Sequence, residues 1–418
     1  MRQMAGVLPL RINARTYRIV RRSAHCGMCY AIPGKVIAIN NNLVTVEYFG
    51  EKKTAKNDFF SLTLGDYVYA QGGFVIQKMK ESDALSILEG WQELFFQLQK
   101  RDIALSSNPK TLYQRANFIR NKYLGNACCV HGIIEFSNYC RNDCLYCGLR
   151  SSNAALGRYR MEIDEIVETA QHSFSELGFK ALVLQSGEDT WYTREKLVRI
   201  VREVRKRAQV FLILSIGERD LEIYEELYQE GARGALLRFE TSNSALYSKM
   251  RPGHALEDRL GLIKKLAEIG YLVMTGFLIG LPGQNQEDLM REIELCGSLN
   301  PEMFSFGPFI PHPKTPLVDE RPPSLDVVLE TIARTRIKFP ESKILATTAT
   351  ATLDKEGLKL ALLAGANSLM INVTPPKYQP LYELYPNRQG LGISLPKQVT
   401  QTVELLQSLG RAPTDLGL

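Results

Sequence analysis

Three cysteines, Cys140, Cys144 and Cys147, stand close together with the spacing Cys-x3-Cys-x2-Cys. A structural zinc site uses four ligands in a closed tetrahedron, whereas a four-iron cluster held by three thiolates keeps one iron open for a substrate or cofactor. The number of thiols therefore favours an iron–sulfur cluster with an open iron. A zinc site with a distant fourth ligand and three unrelated buried cysteines are the alternatives.

A charged pair in the apolar segment 236–241 could bind a polar ligand. Alternate side chains of a β-strand share a face, so Arg238 and Glu240 are predicted to point the same way. Buried ion pairs add little stability over apolar replacements, and a ligand would give a reason to keep them. We therefore predict that the pair faces a binding cavity, with a simple ion pair as the alternative. Polar residues are also predicted at the ends of two other strands: Gln185, Ser186, Thr347 and Thr348.

The elements that would position these residues form a repeating series. Amphipathic stretches of helical length separate eight apolar, strand-like runs: 132–137, 181–186, 210–216, 235–241, 272–279, 303–309, 343–349 and 368–374. Eight such units over about 250 residues predict a (β/α)8 barrel, an α/β fold in which chemistry occurs at the C-terminal ends of the strands. The cysteines follow the first strand, where a doubly wound sheet would carry a glycine-rich loop instead. Cys128 and Cys129 are predicted to precede that strand, and Cys296 to lie on a helix.

Residues 30–79 show a different pattern, in which short apolar and polar runs alternate between turns such as Asn40-Asn41-Asn42 and Gly72-Gly73. This pattern predicts a small antiparallel β-barrel. Three domains are therefore predicted. They are a disordered basic extension at 1–27, the small β-barrel with a C-terminal helix at 28–98, and the (β/α)8 barrel with N-terminal helices at 99–418.

Composition limits the classes of function. Residues 1–27 hold six arginines and no acidic residue, and the rest of the chain balances 45 basic against 45 acidic residues, so no nucleic-acid partner is predicted. No apolar run approaches the ~20 residues that span a bilayer, so no membrane partner is predicted either. Eight cysteines without a regular framework indicate a reducing compartment, and we expect a cytoplasmic protein. The basic start is interpreted as a tail or a misplaced start, with Met28 as the true one, in preference to a targeting peptide.

The run from Cys140 to Arg150, Cys-Arg-Asn-Asp-Cys-Leu-Tyr-Cys-Gly-Leu-Arg, resembles the signature of the HydE family, radical S-adenosylmethionine (SAM) maturases of FeFe hydrogenase. The resemblance covers about residues 107–410. It implies a 4Fe–4S cluster on the three cysteines and reductive cleavage of SAM to a 5'-deoxyadenosyl radical. It also implies that the radical acts on a small iron-containing or thiol substrate, a sulfur-bound iron carbonyl cyanide precursor, during H-cluster assembly. No cysteine follows Cys296, so we predict a single cluster.

The same resemblance implies roles for individual residues. Tyr146 would pack near the adenine of SAM, and Glu240 and Arg259 would bind its amino acid moiety. The catalytic candidates are the tyrosines Tyr382 and Tyr385. The other residues expected to bind the cofactor are Gln185, Ser186, Arg238, Thr347 and Thr348.

Residues 28–95 resemble the hydrogenase chaperone family HypC, through Cys-Tyr-Ala-Ile-Pro-Gly-Lys-Val from Cys29 and Gly-Asp-Tyr-Val from Gly65. The resemblance implies an iron fragment held by a cysteine and a histidine. Cys29 matches the cysteine, but Gln71 stands where the histidine is expected, and an amide is a poor iron ligand. Iron carriage is therefore disfavoured, and docking to a partner is the remaining expectation for this domain.

Two alternative functions stay open at the level of sequence. A barrel similar to biotin synthase or methylornithine synthase would act on an organic substrate. A non-enzymatic chaperone would ferry iron fragments to a hydrogenase, with iron on Cys29 and no cleavage of SAM. For the maturase, the expected partners are other hydrogenase maturation proteins and a reductant protein.

Overall fold

The computed structural model describes residues 32–416. The predictions for 1–27, Met28 and Cys29 concern residues outside this range. The strands are β1 Gly34–Asn40, β2 Leu43–Tyr48, β3 Glu51–Lys56, β4 Tyr67–Gln71, β5 Phe74–Met79, β6 Ala127–Ser137, β7 Ala181–Ser186, β8 Phe211–Ser215, β9 Gly234–Leu236, β10 Leu272–Thr275, β11 Leu278–Ile279, β12 Met303–Phe304, β13 Gly307–Pro308, β14 Lys343–Ile344, β15 Ser368–Asn372 and β16 Ala412–Pro413. The helices are α1 Glu81–Ser106, α2 Leu112–Leu124, α3 Ile163–Ser175, α4 Arg194–Arg207, α5 Leu221–Gln229, α6 Ser244–Met250, α7 Leu256–Ile269, α8 Gln286–Ser298, α9 Leu325–Lys338, α10 Thr348–Leu353, α11 Gly357–Leu363 and α12 Leu395–Ser408.

The first five strands close into the predicted small β-barrel, in the order β1-β2-β3-β5-β4. Its core contains the valines that alternate along these strands, among them Val36, Val46 and Val75. Sequence reasoning missed β3, because Ala55 is the one buried residue in its run Glu-Lys-Lys-Thr-Ala-Lys. A strand with so little apolar character forms because it pairs along its whole length with β2.

The larger domain is the predicted (β/α)8 barrel. Its parallel strands follow the order β14-β12-β10-β9-β8-β7-β6-β15, and a parallel bridge between Leu345 and Ser368 joins the two ends of this series. Each of the eight predicted runs overlaps one of these strands. Helices with one buried face, such as α4 and α9, pack around the sheet because their apolar residues recur at helical spacing.

Several of the predicted strands are shorter than the sequence indicated, and the fourth and fifth show the reason. The fourth ends at Leu236, and the backbone then turns so sharply that Glu240 has a φ of 66°. The fifth is interrupted at Gly276, whose carbonyl accepts the backbone N–H groups of Phe239 and Glu240. A Cβ at Gly276 would lie 2.2 Å from the carbonyl oxygen of Ser305, so only glycine permits this close approach.

The first barrel strand starts earlier than predicted. Cys128 and Cys129 were expected to precede it, but β6 begins at Ala127 and includes both. The strand extends because Cys129 pairs with Ser368 of β15 and Cys128 pairs with Pro413 of β16. Cys296 lies on α8, as predicted, and both regions place their thiols away from the cysteine loop.

The small β-barrel packs against the N-terminal end of the (β/α)8 barrel. Tyr69, Phe74 and Ile76 share an apolar cluster with barrel-lining residues that include Phe211 and Met303. The rings of Phe74 and Phe211 are stacked with centroids 6.2 Å apart. The small domain thus covers the end of the barrel opposite to the cysteine loop.

Helix α1 links the two domains and carries a buried charge. It continues through the predicted boundary at 98/99. Both oxygens of Asp102 accept hydrogen bonds from Arg120 on α2, at 2.5 and 2.7 Å, and Arg411 lies 3.1 Å away. This group fixes α1 against α2 and the C-terminal segment. None of the helices in residues 32–416 combines the length and apolar character needed to cross a membrane.

Candidate active site

The three cysteines lie on the irregular loop that follows β6, at the C-terminal end of the barrel. Cys140, Cys144 and Cys147 all line one cavity of about 650 Å³. The loop is held in place by a backbone hydrogen bond from Leu145 to Met250 and by an ion pair between Asp143 and Arg150. The structure therefore brings the predicted ligands together at the predicted end of the barrel.

The spacing of the three sulfurs tests which metal group fits. Cys140, Cys144 and Cys147 do not all lie within 4.8 Å of one another. Because a Zn–S bond is about 2.3 Å, two sulfurs on one zinc ion are at most about 4.6 Å apart. The three sulfurs are therefore spread too widely for one shared zinc ion, and three thiolates are the number that holds a 4Fe–4S cluster with one open iron.

The surroundings of the loop favour bound thiolates over free ones. Burial raises the pKa of Cys144 to about 11, although the nearby charge of Arg251 lowers it. The backbone N–H of Glu188 lies 3.4 Å from Sγ of Cys140, where it donates a hydrogen bond to the sulfur. A buried thiolate needs positive charge and hydrogen bonds, and cluster iron, Arg251 and the Glu188 amide are suited to supply them.

Arg238 and Glu240 line the cavity and also bind each other. The two hydrogen bonds from the guanidinium to the carboxylate are 3.3 and 2.6 Å long. Their side chains are 23% and 12% exposed, so both can reach a ligand. The pair faces the cavity, as predicted, and it also forms the ion pair that was the alternative. The alternation argument does not explain the placement, because β9 ends before Arg238.

Arg259 is buried and belongs to a second charged group in the cavity wall. It lies on α7, the second helix after β9, and its Nε is 2.8 Å from Glu218. Glu188 lies between Arg251 and Arg259, 3.7 Å from each. Burial raises the pKa of Glu188, but the charges of Arg259 and Arg251 lower it, and the net shift is downward. Arg259, which the family resemblance assigns to the amino acid moiety of SAM, therefore already has carboxylate partners in Glu188 and Glu218.

The remaining predicted cofactor residues reach the same cavity. Tyr146 is half-buried and packs on the apolar cluster around Met250. The hydroxyl of Ser215 donates to Oε1 of Gln185 at 3.3 Å, next to Ser186. The other cavity-lining residues predicted from the sequence are Thr347, Thr348, Tyr382 and Tyr385.

Sequence reasoning missed a buried ion pair in this cavity. Arg388 binds both carboxylate oxygens of Glu135, at 2.5 and 3.1 Å, and Asn372 donates to the same carboxylate at 2.8 Å. The guanidinium of Arg388 also lies 5.7 Å from the ring of Tyr382 and 6.0 Å from the ring of Tyr385. The one available signal was the carboxylate of Glu135 in a buried and mostly apolar strand.

Fold and site define a radical SAM enzyme, a class whose cofactors are a 4Fe–4S cluster and SAM. The family models for the Radical SAM superfamily, the Biotin and Thiamin Synthesis associated domain and the HupF/HypC family match residues 134–296, 305–412 and 28–91. The chain is 40% identical over 333 residues to the FeFe hydrogenase maturase subunit HydE of Thermotoga maritima, covering 77% of this chain and 95% of that protein. It belongs to the HydE family.

Two further comparisons show that the chain is also similar to methylornithine synthases. The 3-methylornithine synthase of Methanosarcina barkeri is 31% identical over 316 residues, covering 73% of this chain and 87% of that protein. The crystal structure of methylornithine synthase (PylB) superimposes with a TM-score of 0.64 at 27% identity, covering 77% of this chain and 97% of the other. The higher identity to HydE supports hydrogenase maturation over an organic substrate.

Proposed function

We propose that this enzyme acts in H-cluster assembly, with Cys140, Cys144 and Cys147 holding the cluster and the cavity above them holding SAM and a small iron-containing substrate. One observation carries the proposal. The cluster loop, the Arg238–Glu240 pair and the two candidate tyrosines line a single cavity of about 650 Å³. When bound, the cluster supplies the electron that splits SAM into methionine and a 5'-deoxyadenosyl radical.

The charged side chains of the cavity have distinct proposed roles. The amino acid moiety of SAM carries an ammonium and a carboxylate, which suit Glu240 and Arg238 in exchange for their mutual hydrogen bonds. Arg259 is proposed to orient Glu218 and Glu188 and to add positive charge near the SAM carboxylate. Tyr146 is proposed to pack on the adenine. The proposed polar contacts to the rest of SAM are Gln185, Ser186, Thr347 and Thr348.

The substrate is proposed to lie beside the two tyrosines. Tyr385 shares a hydrogen bond of 2.8 Å with Thr348, so its hydroxyl is fixed at the cavity wall. Tyr382 is buried, and Arg388 lies against both rings. The charge of Arg388 is balanced by Glu135, but its buried Nε has no hydrogen-bond partner within residues 32–416 and is proposed to donate to an anionic iron complex. Apolar residues such as Ile133 and Met370 line the nearby wall and exclude water from the reacting atoms.

We also propose the partners and the compartment of the enzyme. The HypC-like domain fits docking to other hydrogenase maturation proteins, and a reductant protein is needed to reduce the cluster. Gln71 supports docking over iron carriage, because its side-chain N–H donates to the carbonyl of Thr414 at 2.7 Å. We place the enzyme in the cytoplasm, where such partners and reduced thiols occur.

The choice of substrate is tested by release of 5'-deoxyadenosine from anaerobically reconstituted enzyme. We expect a sulfur-bound iron carbonyl cyanide complex to raise release at least about tenfold, which corresponds to about 1.4 kcal/mol in the barrier. Lysine, the unbranched isomer of 3-methylornithine, is the matched organic probe and is expected to give no rise. Stimulation by lysine and not by the iron complex would move this enzyme to the methylornithine synthase type of reaction.

The SAM site is tested by the substitution Glu240→Gln. Loss of a charge-assisted hydrogen bond worth about 1.5 to 3 kcal/mol is expected to weaken SAM binding about 10- to 100-fold. Calorimetric titration of the reconstituted enzyme measures the change. Glu356→Gln, at an exposed carboxylate on the rim of the same cavity, is the control and should leave the Kd unchanged. Equal SAM affinity in the Glu240→Gln variant and the parent enzyme would remove Glu240 from the site.

A further inference from the structure

A second group of metal-binding side chains lies at the opposite end of the (β/α)8 barrel from the cluster loop. Cys129 and His131 are two residues apart on β6 and therefore share the face that points into the barrel. Asp415 approaches them from the segment after β16. Their ligand atoms all lie within 4.8 Å of one another, and the three residues are 2 to 4% exposed.

The geometry of this group suits one metal ion. Nε2 of His131 lies 3.1 Å from Oδ2 of Asp415, close to the separation of two ligands on a tetrahedral ion with bonds of about 2.0 to 2.1 Å. Nδ1 of His131 has no hydrogen-bond partner in residues 32–416. Because Nε2 faces Asp415, it is the ring nitrogen that would bind the metal through its lone pair, with the proton on Nδ1.

The charges of the group suit a divalent ion. A thiolate, a carboxylate and a neutral imidazole together carry two negative charges, which a divalent ion neutralises. The nearby ammonium of Lys343 does not upset this balance, because it is paired with Glu302. Binding breaks the S–H bond of Cys129, forms a metal–sulfur bond and releases one proton to solvent, with no change of oxidation state.

We propose that Cys129, His131 and Asp415 bind a divalent transition-metal ion, with Zn²⁺ favoured by the nitrogen, sulfur and oxygen ligand set. The hydroxyl of Thr414, 3.3 Å from Oδ2 of Asp415, and water are the available fourth ligands. The site is separate from the 4Fe–4S cluster and does not depend on SAM chemistry.

The position of this site gives it a structural role. It joins β6, the first strand of the barrel, to the C-terminal segment that contains Asp415. Gln71 of the small β-barrel binds the carbonyl of the adjacent Thr414, so the same segment contacts both domains. Because the three ligands come together only in the folded chain, ion binding stabilises the junction between the domains.

The test uses the full chain with Cys140, Cys144 and Cys147 all replaced by alanine, so that bound metal no longer reports the cluster. We expect one equivalent of Zn²⁺ by elemental analysis after dialysis, and one equivalent of Co²⁺ with a sulfur-to-cobalt charge-transfer absorption. Zinc is also expected to raise the Tm. A chain that folds by circular dichroism but retains no Zn²⁺ or Co²⁺ would overturn the site.

Matched variants assign the ligands. Adding Cys129→Ser and His131→Gln is expected to abolish the bound metal and the charge-transfer absorption. Adding Cys128→Ser, at the neighbouring thiol on the opposite face of β6, is expected to retain both. Asp415→Asn keeps the shape of the carboxylate and is expected to weaken retention of metal in a chain that still folds. Retention of one equivalent by the Cys129→Ser, His131→Gln chain would place the ion elsewhere and contradict the proposal.

Discussion

Replacing Cys144 with alanine is expected to reduce 5'-deoxyadenosine release to the level seen without enzyme. Cys144 is the central thiol of the loop and is 9% exposed, so external thiols have little access to replace it. Two remaining thiolates leave a second iron without a protein ligand, and the cluster loses the geometry that keeps a single open iron. Iron content, the visible absorption of the cluster and deoxyadenosine release should fall together after anaerobic reconstitution.

The control for this prediction is Cys296→Ala. Cys296 is also buried, but it lies on α8 with its thiol 3.5 Å from the carbonyl oxygen of Thr275, away from the cavity. We expect this variant to keep its cluster and its rate of SAM cleavage. If Cys144→Ala cleaved SAM as fast as the parent enzyme, the cysteine loop would not hold the catalytic cluster.

Asp102→Asn is expected to lower the free energy of unfolding by about 3 to 5 kcal/mol. Asp102 and the arginines that contact it, Arg120 and Arg411, have side chains no more than 1% exposed. Burial raises the pKa of Asp102, but the two arginines lower it below its ordinary value of 3.8, so the carboxylate is charged at neutral pH. The substitution leaves two buried arginines without their counter-charge.

Urea denaturation of the full chain measures this loss. Glu356→Gln, which removes a surface partner of Lys359, serves as the control and should change the free energy of unfolding by no more than about 1 kcal/mol. Because the folded-state pKa of Asp102 is lowered, its contribution is present above pH 3.8 and is lost as pH falls through the folded-state value. An Asp102→Asn chain as stable as the parent at neutral pH would show that the three charges do not support the fold.

Local patterns predicted most of the fold and the centre of the site. The cysteine spacing and the alternation of apolar strands with helices are properties of short segments, so Cys140 and its neighbours and all eight strand positions were predictable. Sequence reasoning placed the end of a strand wrongly where contacts with a neighbouring strand override the local pattern. The fourth strand ends before Arg238 because the following backbone bonds to Gly276, a contact made by the next strand along the chain.

Contacts between distant residues were beyond sequence reasoning. Glu135 and Arg388 are 253 positions apart, and nothing near Arg388 marks it as the partner of a buried carboxylate. The packing of Phe74 on Phe211 likewise joins two domains whose separate patterns say nothing of their orientation. The group of Cys129, His131 and Asp415 also depends on the C-terminal segment returning to the first barrel strand. Only the fold shows which of these residues meet.

The position of Tyr69, Phe74 and Ile76 has a consequence for the order of turnover. These side chains fill the N-terminal end of the barrel, so in residues 32–416 that route is closed to small molecules. For the proposed function, SAM, the substrate and their products then pass through the opening on the side of the cysteine loop. Methionine and deoxyadenosine then have to leave before the next SAM molecule binds. A molecule bound at the rim of the cavity would block both release of products and entry of SAM.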